Sequence, residues 1–156
     1  MSSNKLELNK SYNMFITKII STRPDFNGCV IKCMDTKTGH TFKFKGSKLN
    51  VNVNKLEKNK PVILIPKNVD THPKFGDTYI VDFIDEPMNK KKSINVLKNI
   101  KSIGDKKADT IYETLKPFVI EDLIDDSDTI DNVYSLTEKN QKYVKKWFDL
   151  NRDSLS

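Results

Sequence analysis

The chain has 156 residues, 31% charged and 37% hydrophobic, with a mean hydropathy of −0.58 and a formal net charge of +6. That length holds one domain or two small ones. Its longest uncharged apolar run, Pro61-Val62-Ile63-Leu64-Ile65-Pro66, falls far short of the roughly 20 residues of a membrane-spanning helix.

The first residues, Met1 to Glu7, contain no signal-peptide core, so a soluble, cytoplasmic protein without a membrane partner is expected. Residues 12–20 and 28–34 are rich in β-branched and apolar side chains and read as strands. The second of these carries both cysteines, Cys29 and Cys33. Two cysteines make no disulfide scaffold. Four residues apart on a strand, they face the same way and read as buried thiols. His40 and His72 would complete four zinc ligands, but the spacing matches no usual pattern, and no metal or cofactor is expected.

Thr41-Phe42-Lys43-Phe44-Lys45 alternates strictly, the mark of a half-buried strand. Phe42 and Phe44 should point inward, while Lys43 and Lys45 face out beside Lys32 of the preceding strand. Short strands follow at 62–65 and 78–83, separated by turn signals at Asp25-Phe26-Asn27-Gly28, Thr38-Gly39, Gly46-Ser47 and Gly76-Asp77. Five short strands with one polar face predict an OB-like barrel, whose outer face receives nucleic acid in folds of that kind. Lys32, Lys43 and Lys45 are therefore candidate DNA contacts.

The strand pattern breaks at Asp85-Glu86-Pro87-Met88-Asn89-Lys90-Lys91-Lys92. The expected domains are 1–87 and 88–156. Ser93 is the expected N-cap of a helix carrying Ile94, Leu97 and Ile100 on one face. Lys101-Ser102-Ile103-Gly104 then forms a hairpin, and Asp105-Lys106-Lys107-Ala108 opens a second helix with Ala108, Ile111 and Leu115 buried. Pro117 stops that helix, and 118–124 forms a connecting one. Glycine in the hairpin permits close approach of a ligand and backbone angles that other residues avoid. The unpaired N–H groups of the following helix start favour an anion. Lys101, Ser102, Ile103, Gly104, Lys106 and Lys107 are thus candidate phosphate contacts.

This segment repeats at an offset of 33 residues: Leu97 falls on Ile130, Ile100 on Val133, Ile103 on Leu136, Ile111 on Val144 and Leu115 on Phe148. The second hairpin, Tyr134-Ser135-Leu136-Thr137, lacks a glycine, and Gln141 replaces the small Ala108. It is expected to be mainly structural, with Thr137 capping the last helix, Lys139, Lys142, Lys145 and Lys146 keeping it basic, and Trp147 packing against the first copy rather than on a base. Acids at 121, 122, 125, 126, 128 and 131 crowd the connector and should face away from DNA or toward a basic partner.

Residues 1–92 carry 17 Lys and Arg against 9 Asp and Glu, and residues 93–156 carry 10 against 12. A basic first half suits a polyanion. The expected fold class is α+β: a small OB-like β-barrel, then an all-α tandem helix–hairpin–helix domain.

Across residues 12–150 the order of motifs resembles the N-terminal region of RecD/TraA-type DNA helicases. The similarity rests on Asp25-Phe26-Asn27-Gly28-Cys29-Val30, on His72-Pro73-Lys74-Phe75-Gly76-Asp77-Thr78-Tyr79, and on the paired helix–hairpin–helix that follows. In that family these parts precede a motor that moves 5′ to 3′ on single-stranded DNA. No G-x-x-x-x-G-K-[ST] occurs here, so no motor is present. Ser102 stands where the family usually has the first hairpin glycine.

The resemblance implies a non-catalytic DNA-binding accessory module of or for a helicase, in replication, repair or recombination. It would grip the backbone of single-stranded or forked DNA without sequence specificity. Two alternatives stay open. One is a protein-interaction adaptor or inhibitor that binds a helicase or other DNA-processing enzyme. The other is a junction binder like the Holliday-junction subunit RuvA, which shares the order of barrel and two hairpins. No nucleophile–base pair points to an enzyme.

Overall fold

The structure, a computed structural model, describes residues 5–155 and is α+β. It divides into two compact units, Met1–Glu86 and Pro87–Ser156. No helix among the described residues is long and apolar enough to cross a membrane.

Among the described residues the first unit holds one sheet of six strands: β1 (Tyr12–Arg23), β2 (Gly28–Asp35), β3 (Thr41–Gly46), β4 (Pro61–Leu64), β5 (Asn68–His72) and β6 (Gly76–Ile80). Their order is β4-β1-β2-β3-β6-β5, antiparallel except for the β3–β6 pair. The two edge strands, β4 and β5, are joined by only three residues, Ile65-Pro66-Lys67. Four Cα steps reach at most about 14 Å, whereas a flat six-stranded sheet would separate its edges by about 24 Å. The sheet must therefore curl until its edges approach. It stays open: a single bridge, Ile63 to Asp85, reaches back to β4, and no ladder joins β4 to β5 among the described residues.

Six strands replace the five expected. β5 escapes a reading of periodicity because it is an edge strand with Val69 alone packed on the core. The last strand also ends earlier, at Ile80. Alternation holds where the strands are central: Ile31 and Cys33 of β2 and Phe42 and Phe44 of β3 enter the core with Met14 and Ile16 of β1. Tyr79 packs its ring on Phe42 and Phe44, centroids 6.0 and 5.9 Å away. Both cysteines lie in this core, where burial pushes their thiols up, Cys29 to about 11 and Cys33 to about 12.

Among the described residues the second unit has four helices: α1 (Lys90–Leu97), α2 (Asp105–Leu115), α3 (Val119–Asp125) and α4 (Glu138–Leu155), with a 3-10 turn over Ser127–Asn132. Ser93 is not the N-cap. Asn89 takes that role, its side-chain oxygen accepting from Lys92 N–H at 2.9 Å, so the lysines at 90–92 form the first turn. Ser93 is buried one turn later and donates its hydroxyl to the Met88 carbonyl. Met88 N–H in turn donates to Glu121 of α3; burial pushes that carboxyl up, and its other oxygen is buried without a partner.

The 33-residue repeat is carried in the backbone as well as in the apolar positions. Ser93 N–H bonds to Asn89 C=O, and Asp126 to Asp122. Ile100 bonds to Leu97, and Val133 to Ile130. Ile103 bonds to Ile100, and Leu136 to Val133. Ala108 bonds to Gly104, and Gln141 to Thr137. All eight bonds measure 2.8–3.2 Å, and each pair is 33 residues apart. Leu97, Ile100, Ile103 and Ile111 share one core with Ile130, Val133, Leu136, Val144 and Phe148. The second copy departs in its first helix, which is only a 3-10 turn.

Candidate nucleic-acid interface

The outer face of the sheet carries a row of three cations. Lys18 of β1 pairs across to Lys32 of β2, and Lys32 to Lys43 of β3. Cross-strand partners share a face with their Cβ atoms about 5 Å apart, and like charges placed so are destabilising. None of the three has an ion-pair partner among the described residues. Lysines often protect exposed sheet edges, but β1, β2 and β3 are interior strands, so that explanation does not apply.

Lys18 is invisible to an alternation argument. Met14 and Ile16 point inward, and strict period two would send Lys18 in after them. A β-bulge between Ile16 and Lys18 breaks the register. The extra residue, Thr17, is held by its hydroxyl on the Lys32 carbonyl at 3.1 Å. A bulge re-aims the side chains beyond it, and here it turns Lys18 outward.

Lys45 lies on the same face, one row further along, but is paired with Asp70 of β5. Beyond it the β1–β2 turn is tightly fastened. Asn27 adopts a left-handed φ of 50°. Its side-chain amide donates to the carbonyls of Leu49 and Val51, and its oxygen accepts from Val53 N–H. Gly28 follows because a Cβ there would lie 2.7 Å from the Phe26 ring and 2.9 Å from the Gly46 carbonyl.

In the second unit the candidate hairpin residues divide into distinct roles. Ile103 is buried, and its N–H is used by Ile100 C=O, so it offers DNA neither side chain nor donor. Lys107 folds back to the Ser102 carbonyl at 3.2 Å. Lys101 sits over the Tyr143 ring at 5.2 Å, with Lys139 on the same ring at 5.9 Å. Lys106 is exposed and has no ion-pair partner among the described residues.

The glycine has a different use from the one expected. Gly104 has φ −98°, open to any residue. Ser102 is the residue in the left-handed region, at φ 70°. A Cβ on Gly104 would meet nothing within 4 Å, so the chain itself does not require glycine there. Its lack of a side chain leaves the start of α2 uncovered, and no side chain caps that end. Asp105, in the first turn, is held by Lys98 at 2.7 Å.

A left-handed conformation costs a residue other than glycine about 1–2 kcal/mol. Ser102→Gly is therefore expected to stabilise the helical unit by about 0.5–1 kcal/mol, after the greater backbone freedom of unfolded glycine is subtracted. Thermal denaturation should show a midpoint higher by a few degrees; a lower midpoint would contradict the assignment.

The second hairpin differs at its tip. Ser135 has no left-handed backbone, Tyr134 is 86% exposed, and Thr137 accepts from Asn140 N–H as the cap of α4. Gln141 fills the place of Ala108 and donates to the Val133 carbonyl at 3.2 Å. Several connector acids are internally engaged. Asp128 and Asp131 pair with Lys145, Asp131 foremost in holding that ammonium above the usual lysine range, and Asp126 accepts from Asp128 N–H. Lys145 is thereby removed from the basic face of α4. Trp147 is half-buried, edge-on to Phe148 at 5.1 Å.

Comparison with models of known protein families finds no match, and comparison with curated proteins finds none either.

Proposed function

We propose that this chain is a non-catalytic DNA-binding module that grips the sugar–phosphate backbone without reading sequence. The observation that carries this reading is the row Lys18–Lys32–Lys43 on three interior strands. Such a row costs stability in the free protein, and a polyanion along the face offsets that cost. The uncovered start of α2, with exposed Lys106 beside it, supplies a second anion-favouring surface.

The finer architecture belongs to the same reading. The curled sheet, the parallel β3–β6 pair and the three-residue link between edge strands support an OB-like barrel. The backbone bonds repeated at 33 residues support a tandem helix–hairpin–helix. That combination, with the motifs around Phe26 and His72, supports an accessory part of or for a RecD/TraA-type helicase, on single-stranded or forked DNA. An adaptor that only holds a protein partner, suggested by the acidic connector and the second hairpin without glycine, is less favoured, because the connector acids are largely engaged within the unit.

The test is a titration of labelled single-stranded, forked and duplex DNA of several sequences at two salt concentrations. Binding that tolerates sequence change and weakens steeply with salt is expected, because phosphate contacts release counterions. Absence of binding, or binding indifferent to salt, would overturn the proposal.

A further inference from the structure

A cleft of about 510 Å³ opens at one end of the cationic face, walled by Arg23, Phe26, Lys45, Gly46 and Asp82. It is continuous with the lysine row. Ser21, Val30 and Lys45, which line it, form the next transverse set after Lys18, Lys32 and Lys43. Ligand sites of this volume are ordinary for small organic groups.

Phe26 is 46% exposed at the mouth. Its ring lies against Gly28, so close that no Cβ would fit between them. The Asn27 bonds to residues 49–53 fix the turn that carries it. Phe26 is thus held with part of its surface offered outward, along the wall of the cleft. Asp82 on the wall would repel a phosphate but accept an N–H donor, whereas Arg23 and the lysines favour phosphate outside the cleft.

We infer that this cleft takes one unpaired nucleobase of a single strand, stacked on Phe26, with the flanking phosphates on Arg23 and the lysine row. The inference rests on the DNA-binding reading and narrows it. The cleft makes the sheet face a reader of unpaired bases as well as of charge. Every base has a π face, so stacking there is tolerant of sequence.

The experiment compares, for the full chain, an oligothymidylate with an abasic deoxyribose-phosphate strand of equal length and charge. The wild-type protein should bind the base-bearing strand about fivefold to 150-fold more tightly, the range that one stacked base supplies. Equal affinity for both would overturn the base cleft while leaving the backbone grip standing. Binding to neither would overturn the DNA reading itself, and the cleft with it. Phe26→Trp should keep the preference, and Phe26→Leu, which retains an apolar cover on Gly28, should lose it. With a strand carrying 2-aminopurine, fluorescence quenching should follow the same order. Quenching unchanged in Phe26→Leu would place the stacking elsewhere and overturn the assignment.

Discussion

Replacing Lys18, Lys32 and Lys43 together by alanine is expected to lower affinity for single-stranded DNA while leaving the protein equally stable or more so. Each phosphate contact contributes about 0.7 to the slope of log affinity against log salt for single strands. Losing three should flatten that slope by about 2. At physiological ionic strength the loss should be of the order of tenfold to a hundredfold. Stability should move the other way, because opposed like charges each cost a few tenths of a kcal/mol. That gain should be clearest at low salt, where screening is weak. A salt series followed by fluorescence anisotropy, beside thermal melts of the same proteins, measures both. An unchanged salt slope would remove this face from the interface, and a large fall in melting temperature would make the row structural.

Asn27→Ala is expected to cost about 2–3 kcal/mol. Its side chain donates to two carbonyls, accepts from Val53 N–H, and sits at a left-handed φ that asparagine tolerates better than most residues. Each hydrogen bond contributes about 0.5–1.5 kcal/mol, and the part-buried groups left behind lose their partner. In a unit of this size such a loss lowers the melting temperature by roughly 10–20 °C. Asn27→Asp tests which half of the amide matters, since it keeps the acceptor for Val53 but loses both donors. Melting at the wild-type temperature in the alanine variant would show that residues 47–53 hold the turn without Asn27. Because the same turn carries Phe26, the base preference should weaken in step with stability.

Much of the second unit is legible in the sequence because its signal is long-ranged: five apolar pairs at one offset, all drawn into a single core. The helix start is less legible, since Asn89 and Ser93 are both good caps and only packing decides that Ser93 is buried. In the first unit the strictly alternating segment around Phe42 and Phe44 reads directly. β5 does not, because an edge strand needs no apolar face of its own. The cationic face is legible only by half. Lys32 and Lys43 follow from alternation, whereas Lys18 depends on a bulge with no marker in the sequence, and Phe26 on how a turn folds over Gly28. The hairpin shows a related limit. Its glycine draws attention as the special backbone position, yet the left-handed residue is Ser102, two positions earlier.

The repeated bonds of the helical unit have a consequence for how such a surface changes over generations. What the two copies share lies inside: the apolar side chains and the carbonyls that close each turn. What they do not share lies in the first helix, at Ala108 against Gln141, and at the tips, where Lys101 and the left-handed Ser102 of one copy stand against Tyr134 and Ser135 of the other. A repeated segment held by its interior leaves each tip free to differ under a separate demand. One scaffold thus carries two surfaces of unlike chemistry, and either can be lost or remade without disturbing the fold beneath it.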